Sequence, residues 1–230
     1  TGNHKSVRGE RLLAKNYILQ QNCKKLLFYD IILLEAQMKV LMFNGSRKDE
    51  GCSFTALNFI GKIMKESGVD FEIINVGHRV FNGEIEDVLK EAQEKVKEAA
   101  GFIVASPVYY ASPSGEIVMF LVRLFSSSGA DLRFKPAASV STCRRAGNSS
   151  TLDVINKYFA YNSMPIVSSC YWNEIHGKVP EDVLKDEEGL QILRTLGKNM
   201  VWLLKSIQAG KDNGVVQPSV EEKIYTNFIR

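Results

Sequence analysis

The run Asn44-Gly45-Ser46-Arg47-Lys48-Asp49-Glu50-Gly51-Cys52-Ser53-Phe54-Thr55 places hydroxyls, glycines and two adjacent cations between a short apolar stretch and a helical pattern. A helix amino terminus carries unpaired N–H groups and the positive end of the peptide dipole, so such a loop can hold a phosphate on backbone donors and short hydroxyls. Ser46, Ser53 and Thr55 supply the hydroxyls. The order is neither G-x-x-x-x-G-K-[ST] nor G-x-G-x-x-G, which argues against a nucleoside-triphosphate loop and a dinucleotide fingerprint. One terminal phosphate fits better. An ordinary capped turn uses the same residue types, so the loop takes its meaning from its neighbours.

Two further stretches are rich in chemistry. Ser106-Pro107-Val108-Tyr109-Tyr110-Ala111-Ser112-Pro113-Ser114-Gly115 combines two prolines with two adjacent tyrosines. A stiff backbone of this kind can offer N–H and C=O groups to the edge of a flat heterocycle while a tyrosine, Tyr109 above all, packs on its face. Taken singly, a loop tyrosine is more often a half-buried packing residue than a ligand platform. Thr142-Cys143-Arg144-Arg145-Ala146-Gly147-Asn148-Ser149 brings two arginines forward, and its plain alternative is a solvated turn before a helix capped by Ser149 or Ser150. His176 is a candidate for binding or protonating a substrate, and Tyr171 and Trp172 either shield a ligand or simply pack.

The elements that must carry these loops follow from the alternation of period. Residues 39–44 (KVLMFN), 71–76 (FEIINV), 101–105 (GFIVA), 137–141 (AASVS) and 165–169 (PIVSS) read as short strands, each followed by a helical pattern. Residues 84–99 carry an apolar stripe at Ile85, Val88, Leu89, Ala92 and Val96. Ser112-Pro113 reads as a helix cap and first-turn proline ahead of Ile117, Phe120, Leu121, Leu124 and Phe125. Leu193, Leu196, Met200, Leu204 and Ile207 mark a last long helix. Five strand–helix units demand an α/β fold with a doubly wound parallel sheet covered on both faces. Its ligand belongs at the carboxyl ends of the strands, where the three loops lie.

Composition narrows the classes. With 230 residues, 45% apolar and 24% charged, the chain is long enough for one sizeable core and has the balance of a globular domain. Six of the 29 basic and three of the 26 acidic residues fall in residues 1–37, so the remainder is neutral and lacks the charge footprint of a nucleic-acid binder. Cys23, Cys52, Cys143 and Cys170 are far apart, without C-x-x-C, so no metal or iron–sulfur site is expected. The longest apolar run, LLFYDIILL, is short and holds Asp30, so neither a membrane span nor a secretory signal is expected, and the expected compartment is the cytoplasm. The organisation expected is an appended, poorly ordered extension at 1–37, a domain at 38–210 and a tail at 211–230.

A phosphate loop after the first strand, an aromatic and proline loop after the third and a polar glycine loop after the fourth together describe an FMN site. Residues 38 to about 210 resemble the NADPH-dependent FMN reductase family, of flavodoxin-like fold, and within it the branch related to iron–sulfur flavoproteins. The matching stretches are NGSRKDEGCSFTAL, ASPVYYASPSGEIVMFLVRLF and STCRRAGNSST, with MPIVSSCYWNEIHG and DEEGLQILRTLGKNMVWLLK farther on. The resemblance implies five parallel strands in the order 2-1-3-4-5 with helices on both faces. It implies phosphate contacts from Ser46, Arg47, Ser53, Phe54 and Thr55. It also implies isoalloxazine contacts from Pro107, Val108, Tyr109 and Tyr110, and from Thr142, Cys143, Arg144 and on to Gly147.

The implied activity is transfer of reducing equivalents from NADPH or NADH through FMN to a small acceptor such as a quinone or a flavin, by a homodimer or homotetramer. A flavodoxin-type electron carrier without its own substrate is the alternative. Many similar proteins carry a cysteine-bearing segment after the second strand, whereas here Val76-Gly77-His78-Arg79-Val80-Phe81-Asn82-Gly83 has none. Neither flavin-edge loop contains Asp or Glu, and Arg144 and Arg145 are expected to stabilise an anionic reduced flavin, favouring two-electron over one-electron transfer.

Overall fold

A computed structural model describes residues 38–228; the expected extension at 1–37 lies outside the described residues. Five parallel strands form one sheet in the order β2-β1-β3-β4-β5. They are β1 (Lys39–Asn44), β2 (Asp70–Asn75), β3 (Gly101–Pro107), β4 (Ala137–Cys143) and β5 (Glu174–His176). β1, β3 and β4 are buried along almost their whole length, which is why they read as continuous apolar or small-residue runs rather than as alternating ones. Val40 pairs with Gly101 and Asn44 with Ala105, and Phe102 pairs with Ala137 and Pro107 with Thr142, so the carboxyl ends of the three central strands lie at one edge, with β3 and β4 running two and three residues past β1.

Seven helices cover the sheet among the described residues: α1 (Cys52–Glu66), α2 (Val76–Phe81), α3 (Ile85–Glu98), α4 (Gly115–Leu132), α5 (Asn148–Tyr161), α6 (Pro180–Val183) and α7 (Glu187–Asp212). Side chains of a strand alternate between faces. Leu41, Phe43, Phe102 and Val104 pack with Val88, Leu89, Ile117, Phe120 and Ile155 of α3, α4 and α5. The Phe43 ring lies 5.2 Å from that of Phe120 and 6.4 Å from that of Phe102. On the α1 and α7 side, a side chain at Gly197 would meet Ile60 and Ile63 within 3.5 Å, so the small residue lets these two helices close on each other.

Several element limits differ from the expectation. The cap of α4 is Ser114, whose side chain accepts from the Ile117 N–H, rather than Ser112. The residue ahead of α5 is Gly147 in a left-handed conformation, rather than Ser149 or Ser150. Residues 76–81 form a short helix where a plain connection was expected. The last helix runs to Asp212, two residues past the expected domain end.

The largest difference concerns the fifth strand. The run 165–169 contributes only an isolated bridge, Ile166 to Ala137, closed by hydrogen bonds from Ala137 N to Pro165 O (2.9 Å) and from Val167 N to Ala137 O (2.8 Å). The chain then leaves the sheet and returns at Glu174–His176, which pair with Ser141, Thr142 and Cys143. The edge position beside β4 is thus filled by two pieces, one at each end of β4. Among the described residues, no helix is long and apolar enough to cross a membrane.

Candidate functional site

Asn44, the last residue of β1, is fully buried and organises the loop that follows. Its Nδ2 donates to Asn75 Oδ1 at 2.9 Å and to Lys48 O at 3.3 Å, while its Oδ1 accepts from Ser46 N at 3.1 Å. Gly45 lies against α4, where a Cβ would stand 2.8 Å from Ile117 Cβ. The Gly45 carbonyl accepts from Ser114 Oγ at 2.6 Å, so one serine both caps α4 and anchors the loop. These bonds deliver the chain to α1 at Gly51, a cap residue without a side chain and with no acidic residue in the turn that follows. The first-turn N–H groups therefore have no carbonyl partner within the helix. Burial raises the pKa of the Cys52 thiol among them, with Asp182 and Glu181 adding to the rise and Lys48 opposing it.

The predicted hydroxyls mostly hold the loop together. Ser46 Oγ accepts from Lys48 N at 3.1 Å and stands 3.3 Å from where a Cβ on Gly51 would be, next to the start of α1. Ser53 and Thr142 share a buried hydroxyl–hydroxyl bond of 2.9 Å, tying α1 to the end of β4. Thr55 Oγ1 donates to Gly51 O at 3.1 Å, and Phe54 is half-buried. Arg47 turns away from the helix end: its guanidinium meets Glu116 Oε1 at 2.7 Å and lies 4.3 Å over the Phe81 ring. What remains for an anion is chiefly backbone.

The second and third rims touch each other. Val108 N donates to Thr142 O at 3.0 Å, continuing the pairing of β3 with β4. Tyr109 and Ser112 then exchange N–H···O bonds of 2.9 and 3.0 Å, with φ of 51° at Tyr110 and 55° at Ala111 between them. Two successive positive φ values are the signature of a type I′ turn, which glycine and asparagine occupy most easily. Holding a tyrosine and an alanine there costs on the order of 1–3 kcal/mol each, a strain of the kind that gathers at functional sites. Tyr109 is 43% exposed and Tyr110 fully so. Gly147, at φ 95°, fits beneath this turn, since a Cβ would lie 2.8 Å from Val108 Cγ1 and 3.0 Å from Ala111 Cα.

Cys143 is buried, and its thiol donates to Asn148 Oδ1 at 2.7 Å; burial pushes its pKa up, so it stays a neutral thiol near pH 7. Arg144 and Arg145 are exposed, with no ion pair among the described residues. His176 ends β5 directly beside Cys143, with Nδ1 3.5 Å from Asp186 Oδ2, so it belongs to a strand end and not to a free loop. Burial raises the Glu174 carboxyl above its usual range, although His176 pulls it down. Asn44, Ser114, Glu116 and Phe81 are the parts that loop reading missed. Only Ser114, three residues before the Ile117 that opens the apolar periodicity, left a visible signal in the sequence.

Strand order, uncapped α1 and abutting rims at the carboxyl edge define a flavodoxin-like protein. Residues 38–177 match the NADPH-dependent FMN reductase family, and the chain belongs to that family. It is 29% identical over 192 residues to an iron–sulfur flavoprotein of Methanocaldococcus jannaschii, covering 74% of this chain and all of that one. Among solved structures, a flavodoxin from the domain Archaea superposes with a TM-score of 0.55 at 18% identity, over 73% of this chain and 99% of that one. RosB with a bound riboflavin-phosphate intermediate superposes with a TM-score of 0.59 at 12% identity, over 84% and 94% of the two chains. At these identities the structures show the fold.

Proposed function

We propose that the protein is an FMN-dependent oxidoreductase that accepts a hydride from NADPH or NADH and passes reducing equivalents to a small acceptor such as a quinone or a free flavin. One observation carries the reading: the amino terminus of α1 has no side-chain cap and no acidic residue in its first turn, at the strand edge where the strained turn at Tyr110 and Ala111 meets Gly147. The donor set fits a flavin mononucleotide. The phosphate would take the N–H groups of Cys52, Ser53 and Phe54 with the Ser46 hydroxyl beside them, while Pro107 to Tyr110 and residues 142–147 would border the ring system.

Bound FMN supplies the hydride chemistry. The chain's own groups position and tune. The α1 dipole would offset part of the phosphate's charge. Arg144 and Arg145, on a rim without carboxylates, favour negative charge on the ring and hence paired-electron transfer. Cys143, held neutral, takes no covalent part. His176, oriented by Asp186, is the group assigned to exchange a proton with the acceptor.

The test is an FMN titration followed by anaerobic addition of NADPH or NADH. Saturable, near-stoichiometric binding, bleaching of the flavin band by at least one nucleotide, and recovery of colour on adding a quinone are expected. Bound FMN that dithionite bleaches but neither nucleotide does would assign the protein to the electron carriers instead, and absence of FMN binding would end the flavin reading.

A further inference from the structure

Away from the strand edge, α4 crosses a shallow trough. On its α5 side is a hollow of about 910 Å³, lined by Val122, Phe125, Arg133, Lys157, Tyr158 and Tyr161 among others. On its α3 side a second hollow of about 630 Å³ shares Val122, Ser126 and Ser127 with the first, so the two flank the same stretch of α4. Small residues keep the trough open along α4, where Ser126, Ser127, Gly129 and Ala130 replace the bulky stripe of its inner face. Val122 is 50% and Tyr161 79% exposed.

The chain after α7 has the opposite problem. From 213 to 228 it makes no regular structure, yet it carries Val215, Val216, Val220, Ile224, Tyr225 and Phe228. Ile224 is 97%, Tyr225 83% and Phe228 90% exposed. Single exposed apolar side chains are ordinary. Six in one short segment, arriving beside an open apolar trough, are not. Lys223 shows where the segment arrives: its Nζ lies 4.6 Å over the Tyr161 ring and donates to the Tyr161 hydroxyl at 3.2 Å, at the rim of the larger hollow. The apolar residues beyond Lys223 stand uncovered instead of filling their own trough.

We propose that two copies of the chain associate by laying the C-terminal segment of each into the α4–α5 trough of the other. A two-fold pairing of this kind covers both uncovered surfaces at once and uses the same patch twice. Charge agrees with the occupant: Glu221 and Glu222 of the segment meet a trough whose Arg133 and Lys157 have no ion pair among the described residues. Reach agrees as well, because residues 213–228 fully extended span about 50 Å. Association is independent of the flavin reading, since the trough and the strand-edge site share no residue.

Sedimentation equilibrium of the full chain tests the pairing against two variants, Ile224→Asp with Phe228→Asp in the segment and Val122→Glu in the trough. The expected result is a wild-type dimer whose dissociation constant rises tenfold or more in each variant. Because all three positions are exposed, far-ultraviolet circular dichroism and FMN titrations should match the wild type, which separates lost association from lost folding. A wild-type chain that sediments as a monomer would overturn the proposal, the segment then serving only its own chain. A dimer weakened less than tenfold by either variant would overturn it too, placing the contact elsewhere.

Discussion

At the scale of single residues, the site rests on close approaches that sequence patterns only hint at. Gly147 combines a left-handed φ of 95° with a Cβ position 2.8 Å from Val108 and 3.0 Å from the Ala111 backbone. Gly147→Ala should therefore lower stability by about 1–3 kcal/mol through strain and overlap, and should part the two rims. Urea unfolding would read the first effect. An FMN titration would read the second, with a dissociation constant at least tenfold higher; an unchanged constant would show that contact between the rims is irrelevant to the ligand. The loop sequence displayed the right residue types here but not their partners. Ser53 is bonded to Thr142, 89 positions away, and Arg47 to Glu116, 69 positions away. Spacing along one loop says which donors exist, whereas long-range contacts decide which of them are already engaged.

At the scale of elements, α2 replaces an expected connection and acts as a clamp on the phosphate loop. Gly77 permits it, because a Cβ there would lie 2.3 Å from Gly45 O and 2.4 Å from Ser46 O, both unyielding backbone atoms. His78 Nδ1 and the Phe81 ring extend the grip, the first 3.2 Å from Arg47 O and the second under the Arg47 guanidinium. Gly77→Ala should push α2 off the loop, costing about 1–3 kcal/mol by overpacking and weakening FMN binding. Gly115→Ala, with no neighbour within 4 Å, is the matched control and should leave both quantities within error. The central strands were legible because their burial on both faces writes an unbroken apolar or small-residue run. The fifth was not. Its three-residue strand EIH holds a single buried apolar side chain, Ile175, between two half-buried polar ones, too little for a period to register. The more apolar run at 165–169 attracts the assignment instead, yet Ile166 is 43% exposed at the sheet edge. The short helix α2 escapes for a related reason, since six residues make fewer than two turns of amphipathic pattern.

At the scale of the whole molecule, fold and site are coupled through the ligand, because FMN would bind the folded chain and not the unfolded one. A ligand at a hundred times its dissociation constant stabilises by about 2.7 kcal/mol. For a domain of this size that is a rise in Tm of about 5–10 °C. The phosphate reading sharpens the expectation into a comparison. Riboflavin carries the same ring system and lacks only the group assigned to the open end of α1, where a charged hydrogen-bonding partner is worth about 1.5–3 kcal/mol. At the same concentration it should bind roughly ten- to a hundredfold more weakly and raise Tm by roughly 2 °C. Thermal scans with FMN, riboflavin and inorganic phosphate alone separate the contributions. Equal shifts with FMN and riboflavin would mean that the α1 terminus holds no phosphate, and the ring rims at 107–110 and 142–147 would then carry the whole of the binding. A large shift with inorganic phosphate and none with either flavin would leave the helix end as an anion site and remove the ring from the pocket.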